Sequence, residues 1–326
     1  MNHFLSSCFE RGVSARHWLY DKGWLKIRRA PLPVISIGNI LAGGTGKTQL
    51  ALFLANKYIE AGYRVAILSR GYRRVKRIKD PFVVDTKVHS PQDTGDEPWL
   101  MAARLPQACV IVSRDRFQGA QLAQQKGADL VILDDGMQHR RLARDVEIVI
   151  VQSSNPFGGG HFLPKGGLRE NPKRLKEADC IVVNGDLSVE LKESLQKIKP
   201  GCLMIEMKIV PSGVRDLQGN ALSLKGVSVG VFCGIGNPQN FVTTVHQLEA
   251  QIVDTLFLAD HRSPSKKVLE KFGLRTQEKG GKWLVCTEKD KIKLPPLSSS
   301  LSIGWVQSDV SISAENQKNL EQLANL

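Results

Sequence analysis

The stretch Ile35–Ala55, ISIGNILAGGTGKTQLALFLA, constrains the fold of this chain more than any other part of it. An apolar run is followed by a glycine-rich turn and then by residues with the apolar spacing of a helix, which is the order of a P-loop. Gly46, Lys47 and Thr48 close the loop. A P-loop starts with a glycine five residues before Gly46, and that position is Leu41 here. The glycines nearest a bound phosphate are nevertheless present, so the stretch predicts a phosphate-binding loop.

The residue types of the loop have separate chemical roles. Glycines let backbone N–H groups approach phosphate oxygens that side chains would block. Lys47 would bridge the outer phosphates of a nucleoside triphosphate, and Thr48 would place its hydroxyl on Mg²⁺. One P-loop subclass uses a lysine at the second loop position across a dimer, and Ala42 gives no sign of that. The predicted nucleotide-binding residues are Leu41, Ala42, Gly43, Gly44, Thr45, Gly46, Lys47 and Thr48.

The second part of a P-loop site is a carboxylate at the end of a neighbouring strand, and DLVILDDGMQH supplies it. Its apolar run predicts a buried strand, so Asp134 and Asp135 emerge at the carboxyl end. Placing two adjacent carboxylates at a buried strand end costs folding free energy unless a cation pairs with them. A simple Asp-Asp-Gly turn is the alternative, but the P-loop favours a metal site. Gln138 is a weaker candidate for a metal ligand. Residues 139–141 have two interpretations: they contact the metal or the phosphate, or they form a solvated basic face.

Short apolar runs alternate with amphipathic helices along the chain, which predicts a parallel α/β sheet that binds ligands at the carboxyl ends of its strands. The predicted helices include 48–61 and 117–126. The predicted strands are 34–37, 64–68, 108–112, 129–133, 147–151, 178–183, 227–233 and 283–286. We expect an N-terminal segment over 1–29, a P-loop core over 30–200, a linker hairpin of 204–210 with 213–217 within 201–222, and a smaller α/β domain over 223–326.

Composition narrows the functional class. Of 326 residues, 42% are apolar and 24% charged, as in ordinary globular proteins, but the formal net charge is +13. Such a surplus favours acidic partners: nucleic acid, anionic lipid or a phosphorylated substrate. The six cysteines form no Cys-x-x-Cys pair, which indicates a reducing compartment and argues against zinc. We expect no membrane-spanning helix and no secretory signal.

The first 29 residues interleave aromatic and basic side chains. Two interpretations are equally supported by this pattern: a helix lying in a membrane interface, or a helix packed on the body of the protein. Gly12 and Gly23 interrupt the helical spacing. The apolar residues concerned are Phe4, Leu5, Cys8, Phe9, Trp18, Leu19, Trp24 and Leu25, and the basic ones are Arg11, Arg16, Lys22, Lys26, Arg28 and Arg29.

An ordered set of motifs spanning residues 30 to 293 resembles the tetraacyldisaccharide 4'-kinase (lipid A 4'-kinase) family of Gram-negative bacteria. In chain order the motifs are GNILAGGTGKT, LSRGY, GDEP, LDDGMQH, LPKGGLRE, CGIGNP, DH and TEKD. The resemblance implies transfer of the ATP γ-phosphate to the 4'-hydroxyl of a tetraacylated glucosamine disaccharide 1-phosphate, giving lipid IVA. It also implies Mg²⁺, two P-loop-like α/β domains joined by a β linker, and peripheral attachment to the cytoplasmic face of the inner membrane.

The same resemblance assigns roles to four further residues. It implies that Asp96 is the general base and His261 its partner, that Arg169 contacts the transferring phosphate, and that Glu170 helps to hold Mg²⁺. Read without the family, Asp96 is a helix cap, His261 an ordinary surface or cap histidine, and Arg169 and Glu170 a solvated pair. The family usually has a second histidine at position 262 and reads PAGPLRE where this chain has PKGGLRE, so Arg262, Lys165 and Gly167 depart from its pattern.

Three other functions compete with this interpretation. A P-loop GTPase switch needs Asn/Thr-Lys-x-Asp, whereas TEKD places Lys289 directly beside Asp290. A nucleic-acid-dependent ATPase would suit the charge, but no stacking-aromatic motif is present. A non-enzymatic membrane adaptor would not need Lys47-Thr48 and Asp134-Asp135. We therefore expect a lipid substrate and an anionic membrane surface as partners, and neither nucleic acid nor an obligate protein partner.

Overall fold

The computed structural model describes residues 2–75, 78–259, 262–296 and 302–323. The chain divides into two compact units. Unit 1 comprises Met1–Ile209 and Val310–Leu326, and unit 2 comprises Val210–Asp309. His261, the predicted partner of the base, lies outside the described residues.

Unit 1 is built on a sheet in the order β8-β7-β6-β1-β5-β2-β4-β3. All neighbouring pairs are parallel except the edge pair β3 and β4. The strands are β1 (Val34–Asn39), β2 (Val65–Ser69), β3 (Phe82–Val83), β4 (Cys109–Val112), β5 (Leu130–Asp134), β6 (Val146–Gln152), β7 (Cys180–Asn184) and the first part of β8 (Leu203–Asp216).

Helices cover the sheet of unit 1, as a parallel sheet requires. They are α1 (Asn2–Asp21), α2 (Lys47–Glu60), α3 (Pro91–Thr94), α4 (Asp96–Arg104), α5 (Arg116–Gln125), α6 (Val189–Ile198) and α10 (Ala314–Leu323), with 3₁₀ turns at Gly158–Gly160 and Pro172–Glu177. Every residue of β1 and β5 is buried. The core is therefore made by the near-continuous β-branched and leucine runs from which these strands were predicted.

The carboxyl ends of the parallel strands meet at one edge of this sheet. β1 ends at Asn39, β2 at Ser69, β5 at Asp134 and β7 at Asn184. Ile37 of β1 is in register with Asp134 of β5. Polar side chains that close four buried strands are thus gathered beside the P-loop, where an α/β sheet binds its ligands.

Unit 2 has a smaller parallel sheet in the order β11-β10-β12-β13. The final residues of β8 pair antiparallel with β9, Val214 opposite Leu222 and Arg215 opposite Ala221. The predicted α/β class with a second, smaller α/β unit is confirmed. Its elements are β9 (Ala221–Leu222), β10 (Ser228–Cys233), α7 (Pro238–Gln247), β11 (Gln251–Phe257), α8 (Lys266–Glu278), β12 (Trp283–Thr287), α9 (Glu288–Lys291) and β13 (Ile303–Ser311).

The structure differs from the sequence-based expectation at three places. Residues 203–216 form one strand instead of a hairpin of 204–210 with 213–217, and the hairpin is made with β9. The last residues belong to unit 1, because Ile312 and Leu320 are buried in its core. Helix α1 runs without a break through Gly12.

None of the helices in the described part of the chain has the length and apolar content that crossing a bilayer requires.

Candidate functional site

The phosphate-binding loop joins β1 to α2 in a conformation that glycine makes possible. Gly43 and Gly46 have φ of 112° and 95°, values that side-chain-bearing residues rarely adopt. A Cβ on Gly46 would lie 3.0 Å from the Ile209 side chain and 3.2 Å from Nδ2 of Asn184. The loop leads directly into the N-terminus of α2 at Lys47, and a glycine-rich loop before a helix N-terminus is the arrangement that binds phosphate.

Two asparagines at strand ends fix this loop from outside. Asn39 donates from Nδ2 to Oγ1 of Thr45 at 3.0 Å, and Asn184 donates from Nδ2 to the Thr45 carbonyl at 3.1 Å. Thr45 is buried, so both bonds are shielded from water. Sequence analysis missed both asparagines. The signal available was a polar residue closing an apolar strand.

Leu41, which stands where a P-loop usually begins with glycine, is buried against a second loop. A Cβ added to Gly158 would lie only 2.5 Å from Cδ2 of Leu41, and φ of Gly158 is 58°. Leu41 also forms a bridge with Leu168, and Ala42 donates its N–H to the Gly167 carbonyl at 2.8 Å. The leucine side chain therefore attaches the P-loop to the glycine-rich segment 158–170.

A cluster of opposite charges surrounds Asp135. Nζ of Lys47 lies 3.5 Å from Oδ1 of Asp135. Arg169 donates to both oxygens of Asp135, at 3.0 and 2.6 Å, and to Oδ1 of Asn39. Burial disfavours the Asp135 carboxylate, but the hydrogen bond from Arg169 and the charge of Lys47 outweigh burial and hold its pKa well below the usual range. Predicted residues from three separate segments are thus brought together here.

Asp134 has a very different environment from its neighbour. Its side chain is buried, and within the described residues Oδ2 accepts a long hydrogen bond from Oγ of Ser69, at 3.4 Å. Burial raises its pKa to about 7, and the negative charges of Glu97 and Asp135 add to that rise. A buried carboxylate of this kind has the chemistry of a cation ligand, because a positive ion beside it would offset the cost of its burial.

The residues near Asp134 provide oxygen ligands of the kind that Mg²⁺ prefers. Gln138 donates from Nε2 to the Asn39 carbonyl at 3.0 Å, whereas its Oε1 is buried and has no partner among the described residues. No group of three or more His, Cys, Asp or Glu in the described ranges is placed to hold a metal alone. That suits Mg²⁺ in nucleotide sites, where one or two carboxylates and the phosphates share the ion.

Glu170, predicted to hold Mg²⁺, contacts helix α1 instead of the acidic pair. Its carboxylate is 0% exposed. Oε1 accepts from Nη2 of Arg16 at 2.9 Å, and Oε2 lies 2.6 Å from Nε2 of His17. The remaining predicted metal residues, Thr48, Asp134, Asp135 and Gln138, lie at the strand ends or the P-loop. The role of Glu170 as a metal ligand stays a prediction.

Asp96 is the first residue of α4 and is held by tight backbone packing. Gly95 precedes it with φ of 91°, and a Cβ there would lie 2.8 Å from the Tyr72 carbonyl. A Cβ on Gly71 would likewise lie 2.7 Å from the Thr94 carbonyl oxygen. Beyond the effect of burial, the negative charge of Glu97 raises the pKa of Asp134, which indicates that the start of α4 is close to the acidic pair. The pairing of Asp96 with His261 is not tested, since His261 is outside the described residues.

Sequence analysis also missed Arg116, the first residue of α5. It is 2% exposed, and Nη2 donates to the Asp134 carbonyl at 3.5 Å. Burial lowers its pKa to about 10, against the raising effect of Asp134 and Asp135. The guanidinium therefore supports the backbone that presents the acidic pair. The sequence SRDR surrounding it offered no local sign of burial.

Comparison with known proteins gives a consistent result. The family model described as tetraacyldisaccharide-1-P 4'-kinase matches residues 3–326. The tetraacyldisaccharide 4'-kinase of Chlamydia caviae is 41% identical over 286 residues, covering 86% of this chain and 78% of the relative. The tetraacyldisaccharide 4'-kinase of Syntrophus aciditrophicus is 34% identical, and the match covers 96% of this chain and 88% of the relative. The crystal structure of Aquifex aeolicus LpxK in complex with ATP matches with a TM-score of 0.75 at 30% identity. The match covers 98% of this chain and 97% of the LpxK chain.

Proposed function

The chain belongs to the tetraacyldisaccharide-1-P 4'-kinase family, and from this premise we propose the reaction and the roles of its residues. The protein is an ATP-dependent kinase that transfers the γ-phosphate to the 4'-hydroxyl of a tetraacylated disaccharide 1-phosphate. The product is lipid IVA, in lipid A biosynthesis. A single observation carries the proposal: Lys47, Arg169 and Asp135 meet at the mouth of the P-loop.

The donor half of the reaction follows from the P-loop cluster. ATP places its phosphates on the N–H groups of residues 43–48, and Lys47 lies against the outer phosphates. In this structure Arg169 and Lys47 are both held by Asp135, which keeps two cations beside the loop. Such preorganised cations stabilise the negative charge spread over the transferring phosphoryl group.

For the acceptor half, Asp96 is the general base. As the 4'-oxygen attacks the γ-phosphorus, its proton passes to the Asp96 carboxylate, and the bond to the β–γ bridging oxygen breaks to release ADP. The family resemblance assigns His261 as the partner of this base. Asp96 starts a helix whose packed N-terminus, at Gly95 and Gly71, restricts the backbone that carries the base.

Asp134 and Thr48 would hold a magnesium ion, and Asp135 and Gln138 would lie near it. The buried Asp134 carboxylate and the unpartnered Gln138 oxygen fit a hard cation. When bound, the ion neutralises charge on the β- and γ-phosphate oxygens. Arg116 and Asn39 hold the backbone carrying these groups, since they contact the carbonyl of Asp134 and the side chain of Thr45.

The protein works at the cytoplasmic face of the inner membrane, as a peripheral protein attached through its N-terminal segment. Helix α1 and the turn after it expose large apolar side chains, with Phe4 72% and Trp24 70% exposed. Basic residues lie among them along the sequence, which suits an anionic lipid surface. The acceptor lipid resides in that surface, so the attachment brings enzyme and substrate together.

The decisive experiment mixes the purified full-length protein with γ-labelled ATP, Mg²⁺ and tetraacyldisaccharide 1-phosphate in detergent. We expect label on the lipid at the 4'-position, with ATP preferred to GTP. Label released only as inorganic phosphate, whether or not lipid is present, would contradict the proposal and indicate an ATPase. Stimulation of hydrolysis by DNA or RNA in place of lipid would indicate the nucleic-acid class.

A further inference from the structure

Helix α1 contacts the site through its buried face, while Phe4 and Trp18 elsewhere on the helix are exposed. Ser6, His17 and Tyr20 are its buried residues. Oγ of Ser6 donates to the Phe162 carbonyl at 2.8 Å, in the glycine-rich segment 158–170. Eleven residues farther along, about 16 Å on an α-helix, His17 contacts Glu170 at the end of the same segment. The helix thus contacts this segment at two points, Phe162 and Glu170.

Glu170 is the centre of this attachment. Both carboxylate oxygens are engaged by α1, one by Arg16 and one by His17, and the side chain has no exposed area. A buried carboxylate is retained only where such partners neutralise it. Since Arg16 is 39% exposed and His17 only 10%, the histidine is the shielded partner and the arginine supplies a permanent charge.

The attachment is one peptide unit away from the phosphate-contacting arginine. The N–H groups of Arg169 and Glu170 both donate to the Ile40 carbonyl, at 2.8 and 3.2 Å, at the start of the P-loop. Arg169 then turns toward Asp135 while Glu170 turns toward α1. A displacement of the Glu170 carboxylate therefore moves the backbone from which Arg169 reaches Asp135.

A second arm connects α1 to the segment that follows the acidic pair. Nη1 of Arg140 lies 3.2 Å from Nδ1 and 3.2 Å from the carbonyl of His17, and Nη2 donates to Asp21 at 2.8 Å. His17 therefore stands between Glu170 and Arg140. The two segments that supply Arg169 and Asp135 are both fixed by one side chain of the N-terminal helix.

We propose that Glu170 is a positioning residue which, through His17 and Arg16, makes helix α1 part of the catalytic scaffold. This rests on the proposed kinase function for its catalytic readout. The engaged oxygens favour this role over metal ligation. The helix that presents apolar side chains to the lipid surface thereby also fixes the arginine that contacts the transferring phosphate.

The test uses the full-length protein with three variants: Glu170→Gln, His17→Ala and the two combined. We expect each single variant to lower kcat about 10-fold or more, with KM for ATP and the Mg²⁺ half-saturation changed less than about 2-fold. The double variant should be no slower than the slower single variant, because both remove one interaction. Arg16→Ala gives a milder loss, and Arg16→Lys restores part of it. Because Arg16 is partly exposed, the Arg16 variants should fold, and they test the attachment even if Glu170→Gln does not fold.

Glu193→Gln on the exposed face of α6 and His246→Ala on α7 are the matched controls, and neither should change kcat. A 10-fold or larger rise in Mg²⁺ half-saturation for Glu170→Gln, with kcat of His17→Ala unchanged, would overturn the proposal and make Glu170 a metal ligand. A loss of kcat in the double variant equal to the product of the two single losses would also overturn the proposal.

Hydrogen exchange in α1 provides a readout that does not depend on kinase activity. Glu170→Gln should accelerate amide exchange across residues 13–21, and Glu193→Gln should not. If the wild-type protein transferred no phosphate while this difference held, the proposed function would fail and the attachment of α1 would stand. Equal exchange in both variants would overturn the attachment itself.

Discussion

At the scale of single residues, neighbouring side chains of the same type have opposite electrostatic states. Asp134 is buried with a pKa raised to about 7, whereas Asp135 is kept ionised by Arg169 and Lys47. Asp134 lacks a salt bridge among the described residues, whereas Asp135 pairs with both Lys47 and Arg169. The two adjacent aspartates lie in separate environments because β5 ends at Asp134 and the chain turns at Asp135, whose φ is 56°.

Lys47→Ala should lower phosphoryl transfer by about 10³-fold or more, because no other described side chain of the P-loop carries a positive charge to the outer phosphates. Labelled phosphate on the lipid is the measurement. Lys57→Ala on the same helix is the control, since Lys57 pairs with Glu60 in the last turn of α2, away from the P-loop. Retained transfer in Lys47→Ala would remove this lysine from the mechanism.

Asp96→Asn should reduce kcat by about 10²- to 10⁴-fold, since an amide cannot accept the hydroxyl proton. Nucleotide affinity, followed by titration with a fluorescent ATP analogue, should stay within about 2-fold. Asp129→Asn, which removes a carboxylate paired with Arg64 at the surface, is the matched control. A loss of ATP affinity with unchanged kcat would exclude Asp96 as the base.

At the scale of elements, strands and the P-loop were predictable, and long-range attachments were not. β1, β5 and β6 follow from apolar runs whose neighbours in sequence are helices or turns. In contrast, His17 and Glu170 are 153 residues apart, and nothing near either residue indicates the other. The hairpin prediction failed because Pro211 and Gly213 read as a turn, whereas β8 continues through them to pair with β9.

Tyr58→Phe in α2 should stabilise the protein slightly, by about 1 kcal/mol, because its buried hydroxyl has no partner among the described residues. Burial raises its pKa to about 12, with a smaller contribution from Glu321 of α10. The unfolded state therefore loses this proton first, and folding stability falls as pH rises from 10 to about 12.

The phenylalanine variant should lack this tyrosine's share of the alkaline loss. Denaturant unfolding at pH 7 and at pH 11 measures both effects. Tyr63→Phe, at a position that is 38% exposed, is the control and should match the wild type at pH 7. A Tyr58→Phe protein as sensitive to alkali as the wild type would show that this hydroxyl titrates normally in the folded state.

At the scale of the whole molecule, one N-terminal helix has two different faces. Its outward side chains suit a lipid surface, and its inward polar residues hold the site. The sequence left membrane contact and packing as alternatives, and the structure shows the packing. Both fit one helix because they use different sides of it. Deleting residues 1–29 would therefore disturb lipid contact and leave Glu170 buried without its partners.

Substituting only the outward side chains tests lipid contact more sharply than deletion does. The variant Phe4→Ser, Trp18→Ser and Trp24→Ser should lower binding to anionic vesicles about 10-fold or more, because each change removes exposed apolar area from the contact. Vesicle co-sedimentation is the measurement. Leu274→Ser on α8, at an equally apolar exposed position, should bind as the wild type does. Unchanged sedimentation of the triple variant would exclude this surface as the anchor.

The return of the chain to unit 1 has a consequence for its synthesis. Ile312 and Leu320 complete the core that contains Tyr58, yet they are translated after the whole of Val210–Asp309. At roughly 5–20 residues per second, a ribosome needs about 5–20 seconds to make that segment. During this interval the nascent P-loop unit exposes apolar surface that only its last residues cover. Unit 2, being one continuous segment, has no such delay in completing its fold.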